Sequence, residues 1–132
     1  MKKIILLLIL LLAFYLFGCS SSSKDNGYRQ ISMDEAISIM DEETGYIILD
    51  VRTAEEYSSG HIPDAINIPN ESIDANSSEE ITALPDKEQM ILVYCRSGNR
   101  SKQASEKLAA LGYTNVVEFG GINSWPGETV SG

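Results

Sequence analysis

Two short apolar runs rich in β-branched residues, Tyr46 to Val51 and Met90 to Cys95, constrain the fold of this chain more than any other feature. Neither run alternates polar with apolar positions and turn-forming residues bound both, the pattern of strands covered on two faces. The segments between them carry helix signatures. Ser32 with Glu35 makes a capping-box pattern, followed by Met33, Ala36, Ile37 and Met40 at helical spacing. Thr53 with Glu56 repeats the box before a short helix, and Ser77 with Glu80 repeats it again before Ile81 and Leu84. From Ser101 to Leu111, the residues Ala104, Leu108 and Leu111 share one face, and Gly112 stands where a helix commonly ends on a left-handed residue. Val116 to Phe119 is a further short strand, with shorter candidates at Tyr28 to Ile31 and Ala65 to Ile68. Strand and helix thus alternate throughout, which predicts a single α/β domain: a parallel sheet with helices on both faces, joined by right-handed crossovers. Such sheets bind ligands beyond the carboxyl ends of their strands, and Cys95 is the last residue of the strongest strand.

The first residues lie outside that pattern. Lys2 and Lys3 precede an unbroken apolar stretch from Ile4 to Phe17, and Gly18-Cys19 closes it, the organisation of an export signal. The stretch is shorter than the roughly 20 residues a spanning helix needs, and it stops at a cysteine instead of a basic cluster. Leu16-Phe17-Gly18-Cys19 resembles the bacterial lipobox, in which the cysteine is acylated and becomes the new amino terminus. Residues 1–18 are therefore expected to be a lipoprotein signal peptide and Cys19 the site of lipid attachment. Residues 19–27, without periodicity or an apolar run, are expected to be a flexible tether, and 28–132 the domain itself. The expected location is outside the cytoplasm, anchored by lipid to a bacterial membrane. The 10 basic and 19 acidic residues give a formal charge of −9, which becomes −11 once Lys2 and Lys3 leave with the signal. That surface disfavours nucleic acid and anionic bilayers as partners. Lipid, not charge, is what would hold the domain to the membrane.

If Cys19 carries lipid, Cys95 is the mature chain's single thiol and no internal disulfide can form. It opens the loop Cys95-Arg96-Ser97-Gly98-Asn99-Arg100, which runs into the helix expected near Ser101. Gly98 and Asn99 are residue types that tolerate positive φ, so several loop N–H groups can turn inward together. The cradle they form, from Arg96 to Ser101, merges with the helix N-terminus, where free N–H groups and the dipole favour negative charge. A cysteine so placed has a pKa of about 3.5 to 7.5 in place of about 8.5, and its thiolate is the nucleophile. Arg96 and Arg100 add fixed positive charge and forked donors suited to an oxyanion such as thiosulfate. The plainer reading, a core cysteine acting as a small apolar residue, accounts for neither arginine and not for the glycine between them. His61 is the only histidine, and the chain offers no His and Cys cluster fit for zinc.

These residues resemble the rhodanese-like sulfurtransferases over roughly Tyr28 to Pro126. The resemblance rests on Leu49-Asp50-Val51-Arg52 with Glu55-Glu56-Tyr57, on Gly60-His61-Ile62-Pro63 with Ala65, Asn67, Ile68 and Pro69, on Cys95 through Ser101, and on Gly120-Gly121 with Trp125. It implies a central five-stranded parallel sheet, with Cys95 in the position of the family's persulfide-carrying cysteine. The implied reaction moves sulfane sulfur from a small anionic donor, thiosulfate or a persulfide, to a thiol or cyanide acceptor by double displacement, and the resemblance implies neither a metal nor an organic cofactor. Phosphatase relatives have a longer loop, with the arginine six places after the cysteine; here Arg100 stands five places after Cys95, and a phosphoester fits poorly. A rival from another class is a carrier or sulfide- and redox-sensing module that holds sulfur on Cys95 without turnover. Asp50 with Arg52 is expected to be an ion pair or cap, His61 to close a turn by hydrogen bonding, and Phe119 and Trp125 to pack.

Overall fold

The structure, a computed structural model, describes residues 26–132. The expected signal peptide, Cys19 and most of the expected tether lie outside the described residues. Five strands run in the order β1 (Arg29–Gln30), β2 (Ile47–Asp50), β3 (Ile66–Asn67), β4 (Ile91–Cys95) and β5 (Val116–Gly121). Between them lie helices α1 (Met33–Glu42), α2 (Ala54–Ser59) and α3 (Asn99–Ala110), with single 3-10 turns at Asn70–Ser72 and Ile122–Ser124. All pairings are parallel and the sheet order is β1-β5-β4-β2-β3, so the fold is the α/β class the alternation predicts.

β4 is central, and none of its five residues is more than 1% exposed. Its side chains alternate between the two faces, as the pleat requires. Ile91, Val93 and Cys95 join Ala104 and Leu108 of α3 in one core, while Leu92 and Tyr94 join Ala36 of α1, Ile62 and Phe119 in the other. Fully burying an aliphatic side chain contributes about 1.5–3 kcal/mol, so the register of β4 is strongly specified. A slip of one residue would exchange Cys95 for Tyr94 on the α3 face.

The helix starts follow local chemistry. Ser32 Oγ accepts from Glu35 N–H at 3.1 Å, and Thr53 with Glu56 forms a reciprocal capping box. The third box does not start a helix. Ser77 Oγ accepts from Glu79 N–H at 3.1 Å in a tight turn, and residues 77–90 contain no helix. Pro85 directly follows Leu84 and disfavours helical backbone at the residue before it. Leu84 is instead buried under α3, its carbonyl accepting from Tyr113 Oη at 2.6 Å. α3 begins two residues earlier than Ser101, at Asn99.

Candidate active site

At the carboxyl end of β4 the chain leaves the sheet and turns straight into α3. Gly98, at φ +107°, supplies the left-handed residue that makes the turn possible. Asn99 does not share that conformation: among the described residues the only non-glycine at positive φ is Asp64, and Asn99 is the first helical residue. The turn brings the Gly98 N–H to 3.0 Å from Cys95 Sγ. Ser101, one turn into the helix, places its Oγ 3.4 Å from the same sulfur.

Two opposing effects act on the Cys95 thiol. Burial raises its pKa, but the Ser101 hydroxyl and the N–H groups of Ser101, Gly98 and Ser97 outweigh burial and hold it below the ordinary value. Cys95 is a free thiol, 1% exposed, in an environment that favours its ionised form. A core cysteine acting only as a small apolar residue would need none of these donors.

The loop is held from two sides. β5 carries a bulge opposite it: Val93 pairs with Glu118 but Cys95 pairs with Gly121, so three steps along β5 match two along β4. At Gly121 the backbones touch so closely that a Cβ would fall on the carbonyl of Arg96. On the other side Arg100 makes a bidentate pair with Glu56, Nη1 to Oε1 at 2.7 Å and Nη2 to Oε2 at 3.0 Å. The Arg100 hydrogen bonds pull the Glu56 carboxyl down to about 2, against burial.

The six loop positions singled out in the sequence do not all meet the sulfur in the same way. Ser97, Gly98 and Ser101 converge on Cys95. Arg96 is exposed, Asn99 is exposed, and both terminal nitrogens of Arg100 are engaged by Glu56. Sequence reasoning missed two carboxylates, Glu56 as the partner of Arg100 and the buried Glu118, whose Oε1 lies 2.7 Å from Ser101 Oγ. The signal for Glu118 was present: a charge within an otherwise apolar strand.

The residues set aside as structural fall where packing places them. Asp50, fully buried, holds Arg52 Nη2 at 2.6 Å and accepts from Tyr94 Oη at 2.7 Å. Tyr94 Oη in turn accepts from Ile62 N–H, so both buried charges have partners. His61 Nδ1 lies 2.9 Å from the Tyr57 carbonyl, and its backbone bridges Val130. Phe119 is buried, and Trp125 packs against the same core. Among the described residues no group of acidic, His or Cys side chains could hold a metal ion.

A parallel α/β domain whose central strand ends on an ionisable cysteine, wrapped by amide donors that run into a helix, is a scaffold for sulfur or oxyanion chemistry. Residues 32–128 match the Rhodanese-like domain, and the chain belongs to that family. It is 42% identical over 74 residues to the thiosulfate sulfurtransferase PspE of Escherichia coli (strain K12), covering 56% of this chain and 68% of that protein. It is 32% identical over 110 residues to the thiosulfate sulfurtransferase GlpE of Pseudomonas savastanoi pv. phaseolicola, covering 80% of this chain and 97% of that one. Among solved structures, a rhodanese-like domain protein from Staphylococcus aureus superposes with a TM-score of 0.65 at 31% identity, over 79% of this chain and 98% of the other. Some longer curated relatives are covered over only 25% of their length.

Proposed function

We propose that this domain is a sulfurtransferase of rhodanese type, lipid-tethered outside the cytoplasm, that carries sulfane sulfur on Cys95. The thiolate attacks the outer sulfur of a donor such as thiosulfate. A sulfur–sulfur bond forms to Cys95 as the donor's own breaks, and sulfite leaves with the bonding electrons. A thiol or cyanide acceptor then takes the outer sulfur, and the electron pair of the broken bond returns to Cys95. Neither a metal nor an external redox agent is needed to balance the cycle. The N–H groups of Ser97, Gly98 and Ser101 hold the negative charge of thiolate and persulfide in turn. Arg96, exposed at the rim, attracts and orients the anionic donor, while Arg100 supplies charge from its place beside Glu56.

The observation that carries this reading is the 3.0 Å contact of the Gly98 N–H with a sulfur that burial alone would keep protonated. Support comes also from relatives that are thiosulfate sulfurtransferases. With thiosulfate and cyanide the soluble domain is expected to form thiocyanate, and Cys95→Ser to abolish it. Equal activity in both proteins would remove Cys95 from the reaction. A persulfide on Cys95 by mass spectrometry without turnover would reassign the domain as a sulfur carrier.

A further inference from the structure

Glu118 is a carboxylate in a strand otherwise made for the core, 3% exposed, and the sulfur-transfer cycle above does not use it. It lies two residues after Val116 and therefore on the same face of β5, toward α3 and Cys95. Its Oε1 accepts from Ser101 Oγ at 2.7 Å and from the Gly120 N–H at 2.8 Å. Among the described residues it makes no salt bridge; the ion pairs are Asp50 with Arg52 and Glu56 with Arg100. The other groups near it are Gln30, its register partner on β1, Tyr28, which feels its charge, and Lys102, which lines the same cavity of about 320 Å³.

The Ser101 hydroxyl joins Glu118 to Cys95. Three acceptors and the Cys95 sulfur surround its Oγ: Glu118 Oε1 at 2.7 Å, the Gly98 carbonyl at 2.9 Å, the Gly120 carbonyl at 3.3 Å, and Sγ, whose thiol donates to it, at 3.4 Å. A hydroxyl carries one proton. The shortest contact is to the carboxylate, and charge-assisted bonds are the stronger kind, so with a thiol at Cys95 that proton points to Glu118 and the S–H donates to Ser101. When Cys95 ionises, Ser101 must turn its proton to the sulfur. Glu118 would then keep only the Gly120 N–H, and two buried anions would face each other across one oxygen.

We propose that Glu118 takes up the Cys95 proton through Ser101. The S–H bond breaks as a new O–H bond forms on Ser101, and the original Ser101 proton passes to Glu118 Oε1. Thiol and carboxylate become thiolate and carboxylic acid at constant total charge, with no oxidant, reductant or outside base. The proton stays on Glu118 through the persulfide stage, because thiolate and persulfide carry the same charge. Glu118 is a positioning residue: it reaches the sulfur only through Ser101. The inference deepens the sulfur-transfer reading and rests on it for its place in the cycle, but ionisation is measured without any sulfur donor.

The test is the pH profile of Cys95 alkylation by iodoacetamide, for the wild type and for Glu118→Gln, which keeps the shape of the side chain. Two groups sharing protons titrate in two macroscopic steps. The neutral amide of the variant stands in for the protonated carboxyl, so the variant is expected to keep the low-pH step alone, while the wild type gains reactivity in that step and again in a higher one as the pair loses its second proton. A second measurement needs no variant: alkylating wild-type protein at neutral pH removes the thiolate and should abolish a protonated-carboxyl carbonyl band in the infrared difference spectrum. A single wild-type step lying above the variant's, the mark of a carboxylate that stays ionised beside the sulfur, or no loss of that band, overturns the proposal. Either result leaves the thiocyanate assay free to succeed or fail on its own.

Discussion

At the scale of single residues, the site depends on which groups reach one sulfur atom. Gly98 matters for its φ of +107°, which aims an N–H at Cys95. Gly121 matters for lacking a side chain where the Arg96 carbonyl lies against it. Gly121→Ala is expected to push the loop off β5 and draw the Ser97 and Gly98 N–H groups away from the sulfur. The thiol then loses its donors while burial remains, so its pKa rises, and at neutral pH alkylation slows about tenfold for each unit of rise. Overpacking of this kind typically costs about 1–3 kcal/mol. Alkylation rates read beside a denaturant midpoint check this: unchanged reactivity in a folded variant would show that the close approach does not position the loop. Gly98 was legible in the sequence because positive φ is a local property. Gly121 was legible only as part of a motif, since its reason is a contact with a segment 25 positions away.

At the scale of elements, the loop is clamped between β5 and the start of α2. Glu56 closes the Thr53 capping box and also holds Arg100 in a bidentate pair. Because its folded pKa, about 2, lies below the ordinary 4.5, it contributes stability that is fully present above the unfolded value. That stability is lost as pH falls from about 4.5 towards about 2. The pair is partly exposed, at 27% and 30%, which limits its worth to about 1 kcal/mol or less. Glu56→Gln should therefore lower the melting temperature at neutral pH, with the difference from wild type shrinking through that acid window. A difference that persists unchanged below it would assign the effect to the cap alone. The capping box was readable from a spacing of three residues. The ion pair was not, because its partners are 44 positions apart and only the docking of α2 beside the loop joins them. The failed box at Ser77 shows the converse, a local signal overruled by Pro85 and by the burial of Leu84 under α3.

At the scale of the whole molecule, the parallel sheet sends every strand in one direction and gathers the reactive loop at the carboxyl end of β4. Arg29 opens β1, and Gly27 lies against Ala109 at the end of α3, so the described chain enters the domain away from the reactive loop. No helix among the described residues is long and apolar enough to cross a membrane. If Cys19 is the attachment point, cells given a labelled fatty acid should incorporate it into the wild-type protein and not into Cys19→Ala, and the variant should leave the membrane fraction. Equal labelling of both would place any lipid elsewhere.

The sequence by itself determined the α/β class, the central strand, the cysteine at its end and the glycine that turns the loop. Each of these is written in hydrophobic period, capping spacing or a single residue's φ, and all act over a few positions. Tertiary structure alone decided that Arg100 belongs to Glu56, that β5 bulges beside the loop, and that Glu118 stands behind Ser101. Those are relations between segments distant in the chain. They follow from strand register and helix docking, which the burial of the whole core settles and no local pattern encodes.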